Sequence, residues 1–512
     1  MNKKSLLKST GIIGTATIVS RVLGFVRDMV LAGLFGTGMD AQAFFVAFRI
    51  PNSLRDLIGE GATNAAIVPV LSEYGTLKDQ KEFLRAARVL FNLSVVILSA
   101  ITALGVVFSP IIVRIIAPGF AAEPDKLAMT VGLNRIMFPY LIFIGLTAYS
   151  MGVLNSLKRF ASAAFGPALM NVAMILAALW LCPRIGVAGL AVGVLAGGAL
   201  QLLLNVPSLG KEGIGINFRE GLRHPAVRRI GRLLIPRAMG SAVYQINIFV
   251  DTILASLSWI VGSGGVAALY YANRLIQFPL AIFALAIAQA ALPKMSGEFA
   301  ANDMDRLKDT LSFSLRMIIV IMLPAGVGLA MLGRPIISIL FERGEFTAYS
   351  TSITDNALFF YAFGLLAYGG IKLLVTVFYA MHDTMTPVKT AFAAVLVNIA
   401  LNLMLMWPMK LGGLALATSI SATFNILMLY RALRRRIGDF GTASIVDSFL
   451  RVLLASAAMA AALKAFSLVY PGTSITGLVF SVAAGITVFI SAAWMFNVKE
   501  IRSIPAWITK KR

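Results

Sequence analysis

Apolar runs of about twenty residues recur along the whole of this 512-residue chain, and they admit few architectures. A run of that length is what a helix needs to cross a bilayer. Inside hydrocarbon every backbone N–H and C=O must find a protein partner, so only helices and closed barrels can span. A barrel would show short segments of strictly alternating polarity, and none is evident. Composition agrees: 58% of residues are hydrophobic and 13% charged, with a mean hydropathy of +0.84. A soluble chain would carry about 25% charged residues. The expected fold is therefore an all-α polytopic membrane protein of about 14 transmembrane helices. Twelve of these are expected near 11–36, 41–70, 88–117, 128–157, 160–182, 186–206, 233–259, 265–293, 312–340, 355–380, 387–408 and 412–431. Two more are expected near 446–469 and 474–497.

The formal net charge is +22, which in a soluble protein would point to nucleic acid. Here no zinc-finger or RNA-binding motif accompanies it, so no nucleic acid partner is expected. The basic residues instead gather in alternate loops: Lys78, Lys81, Arg85 and Arg88; Lys158 and Arg159; Arg219, Arg223, Arg228 and Arg229; Arg306 and Lys308; Arg434, Arg435 and Arg436. Basic loops stay on the cytoplasmic side. Both termini are therefore expected in the cytoplasm, with the basic N-terminus leading into an uncleaved first span. The single cysteine, Cys182, excludes an internal disulfide, and the two histidines form no cluster with it, so no metal site is expected. No P-loop or catalytic triad appears, and the chain does not read as an enzyme.

The chain repeats internally. "RDMVLAGL" (Arg27–Leu34) pairs with "VDTILASL" (Val250–Leu257), and "FFVAFRI" (Phe44–Ile50) with "YYANRLI" (Tyr270–Ile276). "AIVPVLSEY" pairs with "AALPKMSGEF", "LTAYSMG" with "LLAYGGI", and "AGLAV" with "GGLAL". All five matches keep their order at an offset of about 220 residues. A unit of six spans gives both halves the same orientation, related by a pseudo-two-fold along the membrane normal. The expected organisation is an N-lobe over 1–210, an amphipathic linker over 211–232, a C-lobe over 233–440, and two further helices with a basic tail over 441–512. Parallel repeats of this kind are a signature of secondary transporters, which place their site between the halves near the midplane.

Charges interrupt the apolar runs. "SRVLGFVRD" puts Arg21, Arg27 and Asp28 inside the first span; Arg49 and Arg55 flank Pro51 in the second; Arg274 lies in the eighth. Each such charge at mid-membrane costs about 2.5–3.5 kcal/mol. Two readings stand side by side. These residues pair with one another (Arg55–Asp56, Arg49–Asp28) and hold spans together, although Arg27–Asp28 is a poor pair because helix neighbours do not face each other. Alternatively the arginines bind an anion. Arginine donates two parallel hydrogen bonds and stays ionised, and several converging from both halves suit a diphosphate. A cation exporter would want carboxylates and aromatics in its cavity. Asp251 and Asp383 are candidates for coupling a cation, Na+ or H+, with the membrane potential as the competing source of drive.

"SRVLGFVRDMVLAGLFG", "AFFVAFRIPNSLRDLIGEGA", "IVPVLSEY", "YYANRLIQFP" and "FYAMHDTMTP" together strongly resemble the MurJ (MviN) family of lipid II flippases. The resemblance implies the multidrug/oligosaccharidyl-lipid/polysaccharide exporter fold. It also implies that lipid II, the undecaprenyl-diphosphate-linked peptidoglycan precursor, crosses to the periplasmic leaflet. It marks Arg21, Arg27, Arg55 and Arg274 as cavity arginines, and the last two helices as a groove for the lipid tail. It implies a monomer working among membrane lipids and cell-wall synthesis proteins. Two positions depart from the pattern: Gln42 and Asn273 stand where many members carry Asp. A multidrug cation antiporter of the same fold, and a non-transporting scaffold that binds lipid-linked precursors, remain as alternatives.

Overall fold

The computed structural model describes residues 3–56, 62–77, 79–157, 165–215, 220–469 and 474–502. Among them every regular element is a helix. Lys78, Lys158, Arg159 and Arg219 lie outside the described residues. The chain divides into two compact units, Met1–Leu257 and Ser258–Arg512.

The first unit holds α1 (Lys3–Phe35), α2 (Met39–Arg55), α3 (Ala62–Leu77), α4 (Gln80–Val107), α5 (Ser109–Ile116), α6 (Pro124–Met137) and α7 (Tyr140–Ser156). It continues with α8 (Gly166–Trp180), α9 (Cys182–Ile185), α10 (Ala188–Lys211) and α11 (Pro225–Ala255). The glycines of "AVGVLAGGAL" are what let α10 close on its neighbours. A Cβ on Gly193 would stand 2.5 Å from the Ala177 Cβ, and one on Gly197 would stand 2.8 Å from the Met170 Sδ of α8. Small residues at such a seam are how apolar helices approach where no hydrophobic force drives them together. Although α11 lies beyond the linker in sequence, it packs on α3 and belongs to this unit. Leu209, Ile214, Ala226 and Ile230, around the linker, bury against Tyr74, Phe83 and Tyr149.

The second unit holds α12 (Ser258–Val261), α13 (Gly265–Pro279), α14 (Leu285–Ala300), α15 (Met304–Phe341), α16 (Ala348–Phe363), α17 (Leu365–Ala380) and α18 (Met385–Ile437). It ends with α19 (Thr442–Val469), α20 (Ile475–Met495) and α21 (Lys499–Arg502). Val452, Ala455, Met459, Phe489 and Val498 bury with Ile319 and Val320 of α15, so α19–α21 are packed into this unit.

The helices are broken where the sequence is. α13 meets α14 through a π turn, Leu280–Ala284, directly after Pro279, whose ring and missing N–H disturb the helical ladder. α16 and α17 bend by 48° at Gly364. α18 kinks at Lys410, which adopts φ +51° and ψ −128°. Among the described residues eight helical stretches are long and apolar enough to cross a membrane, two of them the continuous α6–α7 and α13–α14, and nine if the bent pair α16–α17 counts as one span. The expected count near 14 is larger for identifiable reasons. α18 holds both runs 387–408 and 412–431 as two helices that meet at Lys410 and lie side by side, with Asn398 Nδ2 bonded to the Thr418 and Ser421 hydroxyls. α8 is only 15 residues long, and α1 carries three charges within its apolar run.

Candidate functional site

The charged residues of the first unit divide into three local arrangements. On α1, Asp28 is completely buried and the Arg27 side chain is 11% exposed. Nε and Nη2 of Arg27 both donate to Asp28 Oδ1, at 3.0 and 2.7 Å. Arg27 Nη1 donates to Asn171 Oδ1 of α8 at 3.1 Å and lies 3.7 Å from the Met174 sulfur. Asn171 Nδ2 in turn donates to the Ser20 carbonyl at 3.0 Å. The expectation that Arg27 and Asp28 make a poor pair is therefore overturned. Their Cβ atoms diverge by about 100° around the helix. The arginine stem nevertheless has enough length to curl back, and an otherwise desolvated carboxylate pays for that conformation.

On α2, Arg55 Nε and Nη2 donate to Asp56 Oδ1 at 3.2 and 2.8 Å, and Gln245 Nε2 of α11 donates to Asp56 Oδ2 at 3.3 Å. Also on α2, half-buried Arg49 donates through Nη1 to the hydroxyl of buried Thr252 on α11. Asp251, next to Thr252, is half-buried. The expected structural pairing thus exists for Arg27 and Arg55, each with its neighbouring acid, whereas Arg49 reaches a hydroxyl. Arg21 differs from all of these: it is exposed and has no hydrogen-bond or ion-pair partner among the described residues.

In the second unit, Arg274 is half-buried on α13, five residues before Pro279 and the π turn. Beside it, Gln277 Nε2 donates to Asn273 Oδ1 at 3.3 Å. Asp383 sits between α17 and α18 and is occupied by local donors. Its Oδ1 accepts from the Met385 and Thr386 amides at 3.1 and 3.0 Å, and its Oδ2 accepts from the Thr386 hydroxyl at 2.8 Å and from Arg436 Nη1. Partial desolvation pulls its carboxyl upward, but these hydrogen bonds and the Arg436 charge outweigh it and hold the carboxyl below the usual value. Asp383 thus receives the first N–H groups of α18 and ties that helix's start to Arg436 near its end.

Three residues that hold these charges carry no charge and were not singled out from sequence: Asn171, Gln245 and Thr252. The available signal was polarity inside apolar runs. Asn171 interrupts "GPALMNVAMILAALW", and Gln245 and Thr252 interrupt the second half of α11.

The fold is that of a known class of membrane exporters. An inward-facing multidrug resistance MATE family transporter of the MOP superfamily superposes with a TM-score of 0.71 at 15% identity, over 83% of this chain and 96% of that one. A solved lipid II flippase MurJ, in an inward closed conformation, superposes with a TM-score of 0.83 at 27% identity, over 96% of this chain and 99% of the other. The family model described as lipid II flippase MurJ matches residues 31–485. A probable lipid II flippase MurJ of Vibrio cholerae is 38% identical over 472 residues, 90% of this chain and 89% of its own. The lipid II flippase MurJ of Burkholderia cenocepacia is 34% identical over 82% of each chain. This chain belongs to the lipid II flippase MurJ family.

Proposed function

We propose that this chain is a lipid II flippase. It moves the undecaprenyl-diphosphate-linked peptidoglycan precursor from the cytoplasmic to the periplasmic leaflet of the bacterial inner membrane by alternating access, with both termini in the cytoplasm. The observation that carries the reading is Arg27, an arginine kept within an apolar helix and held by a fully buried carboxylate and an amide. A charge so placed is expensive and marks a substrate path by default. Its chemistry is that of a phosphate ligand: planar, always ionised and able to donate two parallel bonds. Exposed Arg21, six residues earlier on the same helix, is the companion ligand. Arg49, Arg55 and Arg274 are the further candidate ligands that the sequence offers.

A diphosphate favours closure only to the extent that it binds one state better than the other. Membrane potential drives the return of the emptied, positively charged site, worth about 2.3 kcal/mol per charge per 100 mV if fully traversed. Asp251 is the coupling candidate if a cation supplies the drive instead. Asp383, already surrounded by donors, serves helix α18.

Translocation of fluorescent lipid II in proteoliposomes tests the reading. The native chain is expected to flip it, and Arg21→Ala and Arg27→Ala are expected to lose most of that activity. Arg21→Ala should keep the native melting temperature and Arg27→Ala should have a lower one, because it leaves buried Asp28 without its partner, so both are assayed at a temperature where they stay folded. A folded native chain that does not flip lipid II overturns the function. Undiminished flipping by both variants leaves the function standing and reduces the arginines to structural charges. Flipping that ignores an imposed membrane potential overturns that source of drive.

A further inference from the structure

The geometry around Arg27 assigns a role to Asn171. Side chains on a helix lean toward its N-terminus, so Arg27 extends over the preceding turns of α1, where the Ser20 carbonyl lies. Asn171, 7% exposed on α8, meets both groups with one amide: Nδ2 donates to Ser20 O at 3.0 Å, and Oδ1 accepts from Arg27 Nη1 at 3.1 Å. The carbonyl, already in the helical ladder of α1, offers its second lone pair to a donor and the guanidinium offers an N–H to an acceptor, and among uncharged side chains of this size a carboxamide meets both. Asp28 holds the opposite edge of the guanidinium through Nε and Nη2. Anchors on two edges fix the plane of the group as well as its position. A planar donor pair recognises phosphate only in one orientation.

We propose that Asn171 is a positioning residue of the diphosphate site: it touches no substrate and acts by orienting the Arg27 guanidinium. The proposal rests on the reading of Arg27 as a lipid II ligand. The neutrality of the amide is part of the role. Asp28 already compensates Arg27, so a second carboxylate at position 171 would keep the arginine in place but repel the anion that it is meant to hold.

The test is the lipid II concentration dependence of translocation in proteoliposomes, with lipid II binding to the detergent-solubilised protein measured in parallel. Asn171→Leu conserves volume and removes the bridge. It is expected to raise the half-saturating lipid II concentration about tenfold with the maximal rate near native, and to lower the melting temperature modestly, as befits loss of one bond to a charged group. Asn171→Asp retains an acceptor for Arg27 but loses the donor to the Ser20 carbonyl, and because it adds a negative charge beside the anion site it is expected to bind more weakly than Asn171→Leu. In an Arg27→Ala background, Asn171→Leu is expected to change binding no further. Unchanged half-saturation in Asn171→Leu, or an equal loss in both backgrounds, overturns the role. If Asn171→Leu does not fold, Asn171→Ala carries the same expectation. A native chain that binds and flips no lipid II overturns the underlying function instead, so the two failures are distinct.

Discussion

Removing Asp28 should destabilise the first unit far more than removing Asp28 and Arg27 together. The carboxylate is completely buried and its partner is 11% exposed, so both groups have given up most of their contact with solvent. Deleting one member of a buried pair leaves the other's desolvation uncompensated, at a cost of about 3–5 kcal/mol. In Asp28→Ala the arginine keeps Asn171, so the lower end, about 3 kcal/mol, is expected. Replacing both members by apolar residues of similar volume, Arg27→Met with Asp28→Leu, removes both desolvation penalties and is expected to be near neutral or mildly stabilising. Equilibrium unfolding of the purified protein by sodium dodecyl sulfate in mixed micelles measures the difference directly. The same double variant should be inactive in lipid II translocation, which separates the stability of the pair from its use. Losses of under about 1 kcal/mol in Asp28→Ala, or a larger loss in the double variant than in the single, would refute the reasoning, because the pair would then behave as an exposed one.

Two further outcomes follow from particular backbone and titration features. Lys410 occupies φ +51° at the kink of α18, a region that costs an L-residue about 1–2 kcal/mol and costs glycine almost nothing, so Lys410→Gly should raise the unfolding midpoint by about 1 kcal/mol. A lower midpoint in that variant would mean that the kink is not strained. Asp383 has a carboxyl held below its unfolded value of 3.8, so its contribution is fully present above that value and is lost only as pH falls through the lower folded value. Asp383→Asn should therefore lower the melting temperature equally at pH 7 and pH 5, with the gap to the native chain closing only below about pH 4. A gap that already closes between pH 7 and pH 5 would contradict the hydrogen-bond assignment.

What could be read from the sequence depends on the range of the force involved. Apolar run length is a local property set by the bilayer, and it located the helices of both units well. The breaks at Pro279, Gly364 and Lys410 fall within or beside residues whose backbone chemistry announces them. The two spans expected on either side of "MWPMKLGG" are present: two helices meet at Lys410 and fold back on each other, so that Asn398 Nδ2 of the first bonds the Thr418 and Ser421 hydroxyls of the second. Less legible was the packing of α11 on α3, a tertiary preference that no repeat register records.

The site divides along the same line. Charges inside apolar runs are visible because their cost is local, so Arg21, Arg27, Asp28, Arg49, Arg55 and Arg274 stand out from sequence alone. What each charge does is decided by its partners, and those lie 144 residues away for Arg27, 203 for Arg49 and 189 for Asp56. Of the two local partners, Asp56 was named as one for Arg55, whereas Asp28 was discounted for Arg27 on a rule about helix faces. That rule describes short side chains on solvated surfaces. In a desolvated interior the balance changes: an unpaired carboxylate costs more than the conformational freedom lost when an arginine folds back along its own helix. The neutral residues escaped for the converse reason. Asn171, Gln245 and Thr252 cost little enough in an apolar run to look incidental, yet their dipoles are what aim Arg27, Asp56 and Arg49. Here the charges are what the sequence displays, and the neutral amide or hydroxyl across from each one sets the direction in which it points.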